Sequence, residues 1–184
     1  MGFLATADLL AVAEAARELG VAGVVLTSGQ RLMLPGLDEA QEQALRERFG
    51  HLVVEGHDLL QACPGAGRCP NAKGETGEFG QAVERMVRAM AMPAKIKVGV
   101  SACANCCAES KVRDLGFVAG ARGWTVFFGG NAGKKPRVGD ELGRELTVTQ
   151  ALDLAREALE RYAAQARQGE RTARFQERME REQG

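Results

Sequence analysis

Residues 95–142 decide the fold, and they read KIKVGVSACANCCAESKVRDLGFVAGARGWTVFFGGNAGKKPRVGDEL. The apolar, β-branched run at 95–100 predicts a strand, and cysteines follow it almost directly. Residues 116–119 and 124–128 predict two further strands, and residues 129–140 predict a glycine-rich, basic loop. Because ligand sites in α/β sheets favour the carboxyl ends of strands, the cysteines stand where a site is expected.

The sequence before this stretch predicts a small α+β layer. Its order is helix, buried strand, short strand and helix, at residues 6–19, 21–27, 31–35 and 38–49. Thr6 and Asp38 are the predicted N-caps, and Gly20 and Gly50 the predicted stops. Further along, the pattern predicts a Gly/Pro-rich loop, two helices and a charged helical tail, at residues 63–77, 78–91, 149–167 and 171–184.

Composition narrows the class of protein. The 184 residues carry 24 Lys plus Arg and 24 Asp plus Glu, so the formal net charge is zero, which argues against nucleic acid as the main partner. No apolar run approaches the length of a membrane span, and Asp8 and Glu14 interrupt the N-terminal apolar stretch. We therefore expect a cytoplasmic protein with no membrane partner. An odd count of five cysteines fits a complete disulfide set poorly.

The cysteines form two spaced pairs on loops: Cys63-x5-Cys69 and, after a gap of 33 residues, Cys103-x3-Cys107. Four thiolates are what a [4Fe–4S] cluster needs, and small neighbouring residues let the backbone approach it. Zinc sites favour tighter knuckles than Cys-x5-Cys, and disulfides need an oxidising compartment, so both alternatives are disfavoured. Spacing alone leaves open whether Cys106 replaces Cys107 as a ligand.

Residues 95–142 resemble the sirohaem and [4Fe–4S] segment of nitrite and sulfite reductases. That family carries a basic K-x-K strand, a C-P-N-x-C-A-type loop, a D-[LIV]-G and a later G-G-N-x-G loop. CPGAGRC at 63–69 resembles its first cysteine loop, and GVVLTSGQRLMLPGL at 23–37 resembles its ferredoxin-like half-domain. RQGERTARFQER at 167–178 resembles its usual ending. The resemblance implies an α+β fold, with a ferredoxin-like half-domain at 1–55 and a [4Fe–4S]/sirohaem domain with a helical tail at 56–184.

The resemblance also implies roles for individual residues. Cys63, Cys69 and Cys103 would bind cluster iron only, and Cys107 would also be the axial ligand of the sirohaem iron, which favours Cys107 over Cys106. Lys95 and Lys97 would be catalytic, facing the substrate or the sirohaem carboxylates. The implied cofactor-binding residues are Gln30, Arg31, Asn105, Gly130, Asn131, Gly133, Lys134, Lys135 and Arg137. We expect the two glycine-rich loops to come together and to carry a cluster of five cations: Lys95, Lys97, Lys134, Lys135 and Arg137.

The chain departs from the family pattern at two anion-binding arginines. Gly29 stands at the arginine of the T-x-R-Q motif, and Asp58 stands at a second arginine position before the first cysteine. Without these two guanidinium groups, the chain lacks most of the donors that would bind an anion through two parallel N–H···O hydrogen bonds. The resemblance therefore implies either a reductase of a small oxyanion or a subunit that carries electrons without turning over sulfite or nitrite.

The implied partners are a small anionic substrate and an external electron donor, a ferredoxin or a reductase subunit. No G-x-G-x-x-G follows a predicted strand, so the sequence shows no flavin or nicotinamide fingerprint. Larger members of the family carry two copies of this unit, related by pseudo-twofold symmetry. A homodimer of this chain could restore that symmetry, although single-unit members also exist.

Overall fold

The computed structural model describes residues 4–53 and 59–183, and the chain divides into two compact units between residues 56 and 57. The sequence placed the boundary between residues 55 and 56. The mixed α+β class that the sequence predicts is confirmed. No helix within the described residues has the length and apolar character needed to cross a membrane.

The first unit is a helix, a two-stranded antiparallel ribbon and a second helix: α1 (Thr6–Glu18), β1 (Val25–Leu26), β2 (Leu32–Met33) and α2 (Glu39–Phe49). Asp38 caps α2 in a reciprocal capping box with Gln41. Two predictions were wrong here. Ala5, not Thr6, is the N-cap of α1, with no side-chain cap. The predicted buried strand at 21–27 is only two residues long, and its Leu26 is 80% exposed.

The second unit is built on a five-stranded sheet in the order β3-β4-β5-β6-β7. Its strands are β3 (Leu59–Ala62), β4 (Lys97–Ser101), β5 (Leu115–Gly120), β6 (Gly123–Phe128) and β7 (Asp140–Leu146). The first three strands are parallel, and the pairs β5–β6 and β6–β7 are antiparallel. The sequence pattern did not predict β3 or β7, because β7 (DELGREL) lacks an apolar alternation and β3 is only four residues long.

Three helices accompany the sheet: α3 (Gly77–Arg88), α4 (Val148–Gln165) and α5 (Thr172–Gln183). Their apolar side chains join those of the strands in one core, in which Phe79 stacks on Trp124 with ring centroids 4.1 Å apart. The C-terminal segment is helical as predicted, but it is more than a charged tail. Phe175 of α5 is fully buried against Tyr162, so α5 completes the core.

Asp114 fixes α5 to the sheet. Its carboxylate is 2% exposed and accepts hydrogen bonds from the backbone N–H of Lys97 at 2.8 Å, from the hydroxyl of Thr172 at 2.6 Å and from the guanidinium of Arg171. A buried charge is tolerated when it is paired and hydrogen-bonded in this way. The start of β4 and the start of α5 are therefore held at one point.

Candidate metal centre

The two cysteine loops leave neighbouring parallel strands at the same edge of the sheet. β3 and β4 lie side by side with Ala62 opposite Val100, and the N–H of Cys63 donates to the carbonyl of Val100 at 3.0 Å. Cys63 thus stands at the carboxyl end of β3, and Cys103 follows two residues after the end of β4. This is the edge at which α/β sheets place their ligand sites.

Direct hydrogen bonds join the two loops. The N–H of Ala102 donates to the Sγ of Cys63 at 3.0 Å, and the N–H of Lys73 donates to the carbonyl of Ala102 at 2.6 Å. A backbone donor aimed at a cysteine sulfur is the kind of contact that orients a metal ligand. The first loop therefore meets the second at the residue directly before Cys103.

The shape of the first loop depends on Gly65. Its φ is +75°, and a Cβ there would lie 2.3 Å from the Oγ1 of Thr76. That hydroxyl is buried and donates to the carbonyl of Cys63 at 2.8 Å. The N–H of Cys69 in turn donates to the carbonyl of Gly65 at 3.0 Å. Only glycine fits this position, and it holds Cys63 and Cys69 on one compact turn.

The second loop is a pair of consecutive turns. The N–H of Cys106 donates to the carbonyl of Cys103 at 3.1 Å, and the N–H of Glu109 donates to the carbonyl of Cys106 at 2.8 Å. Cys106 has a φ of +54°, a left-handed conformation that is uncommon for residues other than glycine. Cys107 is exposed, whereas the other four cysteines are partly buried.

After these turns the chain crosses back over the sheet to begin β5. A Cβ on Gly99 would lie 2.7 Å from the Cα of Ser110, and one on Gly116 would lie 1.9 Å from the carbonyl oxygen of Ser110. The buried hydroxyls of Ser101 and Ser110 are 2.8 Å apart, and the N–H of Ala108 donates to Ser101 at 3.2 Å. Sequence reasoning missed this contact, although glycines inside two neighbouring strands were a signal for it.

The donor chemistry of the centre fits an iron–sulfur cluster. Five free thiols lie on two adjoining loops, and a backbone N–H already points at one of the sulfurs. As the side chains stand, no group of three or more His, Cys, Asp or Glu within residues 4–53 and 59–183 is arranged to hold a metal ion. The choice of Cys63, Cys69, Cys103 and Cys107 as ligands therefore stays a prediction.

The predicted cations lie at the opposite edge of the sheet. Lys97 is the first residue of β4, about 13 Å along the strand from its carboxyl end. Phe128, the last residue of β6, is aligned with Leu115 and hence with Val98, so the glycine-rich loop at 129–139 leaves from the same edge as Lys97. The expectation that this loop and the cysteine loops come together is thus wrong within one chain.

The glycine-rich loop is organised by its own contacts. The side chain of Asn131 donates to the carbonyl of Lys135 at 2.7 Å and accepts from the N–H of Gly133 at 3.1 Å. Arg137 forms ion pairs with Asp140 at 2.8 Å and Glu180 at 2.7 Å.

The predicted lysines differ in exposure: Lys134 and Lys135 are exposed, and Lys95 and Lys97 are half-buried. A Cβ on Gly130 would lie 2.5 Å from the carbonyl oxygen of Arg113, so this glycine permits close packing.

The remaining predicted residues are spread between the two units. Gln30 and Arg31 belong to the turn between β1 and β2, where the N–H of Arg31 donates to the hydroxyl of Thr27 at 3.2 Å. Asn105 is exposed within the second cysteine loop. Asp58, at the second arginine position, lies outside the described residues.

Comparison with known proteins identifies the two units. Residues 59–183 match the family model described as the nitrite and sulphite reductase 4Fe-4S domain, and residues 1–52 match the nitrite/sulfite reductase ferredoxin-like half domain. The chain also resembles the solved structure of the NirA protein of Mycobacterium tuberculosis in fold. That match has a TM-score of 0.76 and 23% identity, over 92% of this chain and 35% of that one.

Two curated relatives differ in how much of their length the chain covers. The chain is 38% identical to an assimilatory-type sulfite reductase of Nitratidesulfovibrio vulgaris, over 95% of this chain and 83% of that protein. It is 30% identical to a nitrite reductase [NAD(P)H] of Bacillus subtilis, over 97% of this chain but only 23% of that protein. The resemblance seen in the sequence is confirmed, and the chain belongs to the nitrite and sulphite reductase family, whose named relatives are oxidoreductases.

Proposed function

We propose that the chain is a reductase of a small oxyanion, with sulfite as the preferred candidate substrate. It would hold a [4Fe–4S] cluster on four cysteines, Cys63, Cys69, Cys103 and Cys107. It would also hold a sirohaem, which would share Cys107 with the cluster. The observation that carries the proposal is the meeting of two cysteine loops at one edge of the sheet, with the Ala102 N–H on the sulfur of Cys63. The name and the 83% coverage of the similar sulfite reductase support sulfite over nitrite.

When bound, these cofactors would supply one-electron transfer and an iron at which the oxyanion binds. Converting sulfite to hydrogen sulfide consumes six electrons and eight protons and releases three waters. The electrons would come from an external one-electron donor of the ferredoxin class, since no nucleotide-binding fingerprint is visible in the sequence. The residues of the chain would hold the cofactors, neutralise the anion and supply protons.

The separation of the two edges gives the predicted homodimer a specific role. Lys95 and Lys97 lie at the start of β4, whereas the cysteine loops leave the ends of β3 and β4. The two edges are about 13 Å apart along β4, which exceeds the Debye length of about 8 Å at physiological ionic strength, so cations at one edge neutralise an anion at the other edge poorly. We therefore assign the lysines that face the substrate to a second copy, so that each site would take its cysteines from one copy and its lysines from the other.

Mixing two inactive variants tests this arrangement. We expect the double variant Lys95→Ala, Lys97→Ala and the single variant Cys107→Ser each to lack sulfite reduction. In a mixed dimer, one of the two sites would keep all its residues. Refolding or co-expressing the pair should then recover about a quarter to a half of the wild-type rate per dimer. A mixture that stays inactive, although mixed dimers are shown by mass spectrometry, would overturn the shared site.

An alternative function is that of an electron-carrying subunit without turnover of its own. Gly29 stands in place of an arginine expected to bind the anion, and this favours the alternative. An assay with a chemical one-electron reductant separates the two functions. Sulfite-dependent oxidation of the reductant, with sulfide as product, supports the reductase. A cluster that is reduced and reoxidised by the dye but gives no sulfide supports the carrier.

A further inference from the structure

Arg113 bridges the two segments that carry the cysteines. It lies near the end of the crossover from β4 to β5, and a Cβ on Gly99 would stand 3.0 Å from its Cγ, so the side chain runs across β4. Its guanidinium donates to the side-chain carbonyl of Gln61 and, at 2.7 Å, to the carboxylate of Glu109. Gln61 is two residues before Cys63, and Glu109 is two residues after Cys107.

The bridge is buried on one side and open on the other. The side chain of Arg113 is 11% exposed, whereas that of Glu109 is 60% exposed. Solvent screens the carboxylate more than the guanidinium, so a net positive charge remains close to the sheet. Along β3, the guanidinium partner Gln61 is about 7 Å from Cys63.

Two features of Arg113 exceed what a surface ion pair would require. Its Nε is buried and has no hydrogen-bond partner among the described residues, which is costly for a charged group. Its partner Glu109 has a φ of +54°, a conformation that residues other than glycine adopt at a cost. An arrangement with two such costs persists when it performs a task that a simpler packing would not.

We propose that Arg113 is a positioning residue of the cluster: it fixes the first cysteine strand to the second cysteine loop, and its charge favours the reduced cluster. The inference rests on the proposed cluster ligation. A cluster held by four thiolates carries net negative charge that increases on reduction, so a nearby buried cation raises its reduction potential. Partners behind the ligands that orient them commonly contribute 10–100-fold in metal affinity.

The test uses anaerobically purified protein and two readouts besides activity: the reduction potential of the cluster and its rate of bleaching by an iron chelator. Arg113→Gln should lower the potential and speed bleaching by about 10-fold. Arg113→Lys keeps the charge but loses the planar fork, so it should keep most of the potential and still bleach faster. Arg178→Gln is the matched control. Arg178 is also mostly buried, at 15% exposure, and also paired with a carboxylate, that of Glu170, but it lies on α5, which carries no cysteine.

The outcomes separate this inference from the function on which it rests. If Arg113→Gln matches the wild type in both readouts, or if Arg178→Gln lowers the potential equally, Arg113 has no positioning role. If Arg113→Gln does not fold, Glu109→Gln removes one end of the bridge at an exposed site and should still speed bleaching; an unchanged rate would overturn the inference. Wild-type protein that holds no cluster under anaerobic purification would overturn the proposed function as well.

Discussion

The backbone N–H of Ala102 donates to the Sγ of Cys63 across 3.0 Å, joining residues that are 39 apart in sequence. The contact exists because β3 and β4 are parallel neighbours, so the loops that leave their carboxyl ends begin side by side. Replacing a cysteine should therefore remove a cluster ligand and leave the backbone pairing of the strands in place.

The first prediction concerns the ligands. Changing any one of Cys63, Cys69, Cys103 and Cys107 to Ser should abolish the cluster and lower the thermal stability, because metal-binding energy is also folding energy. The measurement is the broad visible absorption of the cluster, together with iron and acid-labile sulfide per chain. Cys106→Ser is the control and should keep the cluster. A Cys106→Ser variant without a cluster, beside a Cys107→Ser variant that retains one, would reverse the assignment.

The second prediction concerns the crossover that carries Cys103 and Cys107. Gly116→Ala would place a methyl group 1.9 Å from the carbonyl oxygen of Ser110, so the crossover must shift. Overpacking of this kind costs about 1–3 kcal/mol, which chemical denaturation can measure. Gly120→Ala is the control in the same strand, because its Cβ would meet only the carbonyl oxygen of Gly123 at 3.4 Å. Equal stability of the two variants would mean that the crossover does not depend on Gly116.

Much of the fold could be read from the sequence because its signals are local. The capping box of Asp38 and the long apolar periodicity of α4 follow from neighbouring residues, as do the strands on either side of Ala121. β7 could not be predicted, since its pattern is DELGREL and its strand state comes from pairing with β6. The predicted buried strand at 21–27 failed for the opposite reason: its residues are apolar, yet the pairing with β2 involves only Val25 and Leu26.

In the candidate site too, features with a local sequence signal could be predicted, and features that depend on distant contacts could not. Cysteine spacing is a local signal, and it predicted two loops that the sheet does bring together. Lys97 begins the same strand whose end carries the second cysteine loop, so its separation from that loop was already implied by the predicted strand. The position of Arg137 depends on the direction of β6, which the sequence does not reveal. β6 is antiparallel to β5, and this sends the glycine-rich loop to the edge away from the cysteines. The role of Arg113 could not be predicted, because it depends on contacts with Gln61, which is 52 positions away in sequence, and with Glu109, which is 4 positions away.

The third prediction concerns pH and the start of α5. Hydrogen bonds from the Arg178 guanidinium lower the pKa of Glu170 from 4.5 to about 2. Because the folded pKa is depressed, the stabilisation is fully present above about pH 4.5 and is lost as pH falls towards 2. Glu170→Gln should therefore be less stable than wild type at pH 7, with the difference shrinking between pH 4.5 and 3. Urea unfolding of both proteins at each pH measures it, and a constant difference across that range would contradict the assignment.

The fourth prediction concerns the missing arginine at Gly29. A small anion at a metal needs oriented positive charge, and removing one such donor typically costs about 10²–10³ in rate. We expect poor sulfite and nitrite reduction, and a gain with Gly29→Arg if the loss is electrostatic. Gly29→Gln is the neutral control for added bulk and should give no gain. A wild-type rate at or above about 10 s⁻¹, the median for enzymes, would contradict the prediction.

The central claim is that one chain holds a [4Fe–4S] cluster coupled to a sirohaem, and metal analysis with an absorption spectrum of the anaerobically purified protein tests it most directly. We expect the protein to contain ~5 iron atoms and ~4 acid-labile sulfides per chain. Its spectrum should show a Soret band and a red-region band in addition to the broad absorption of the cluster. Removing Cys107 should abolish both sets of features, because the two cofactors would share its sulfur. Stoichiometric zinc with neither haem nor cluster absorption would contradict the account.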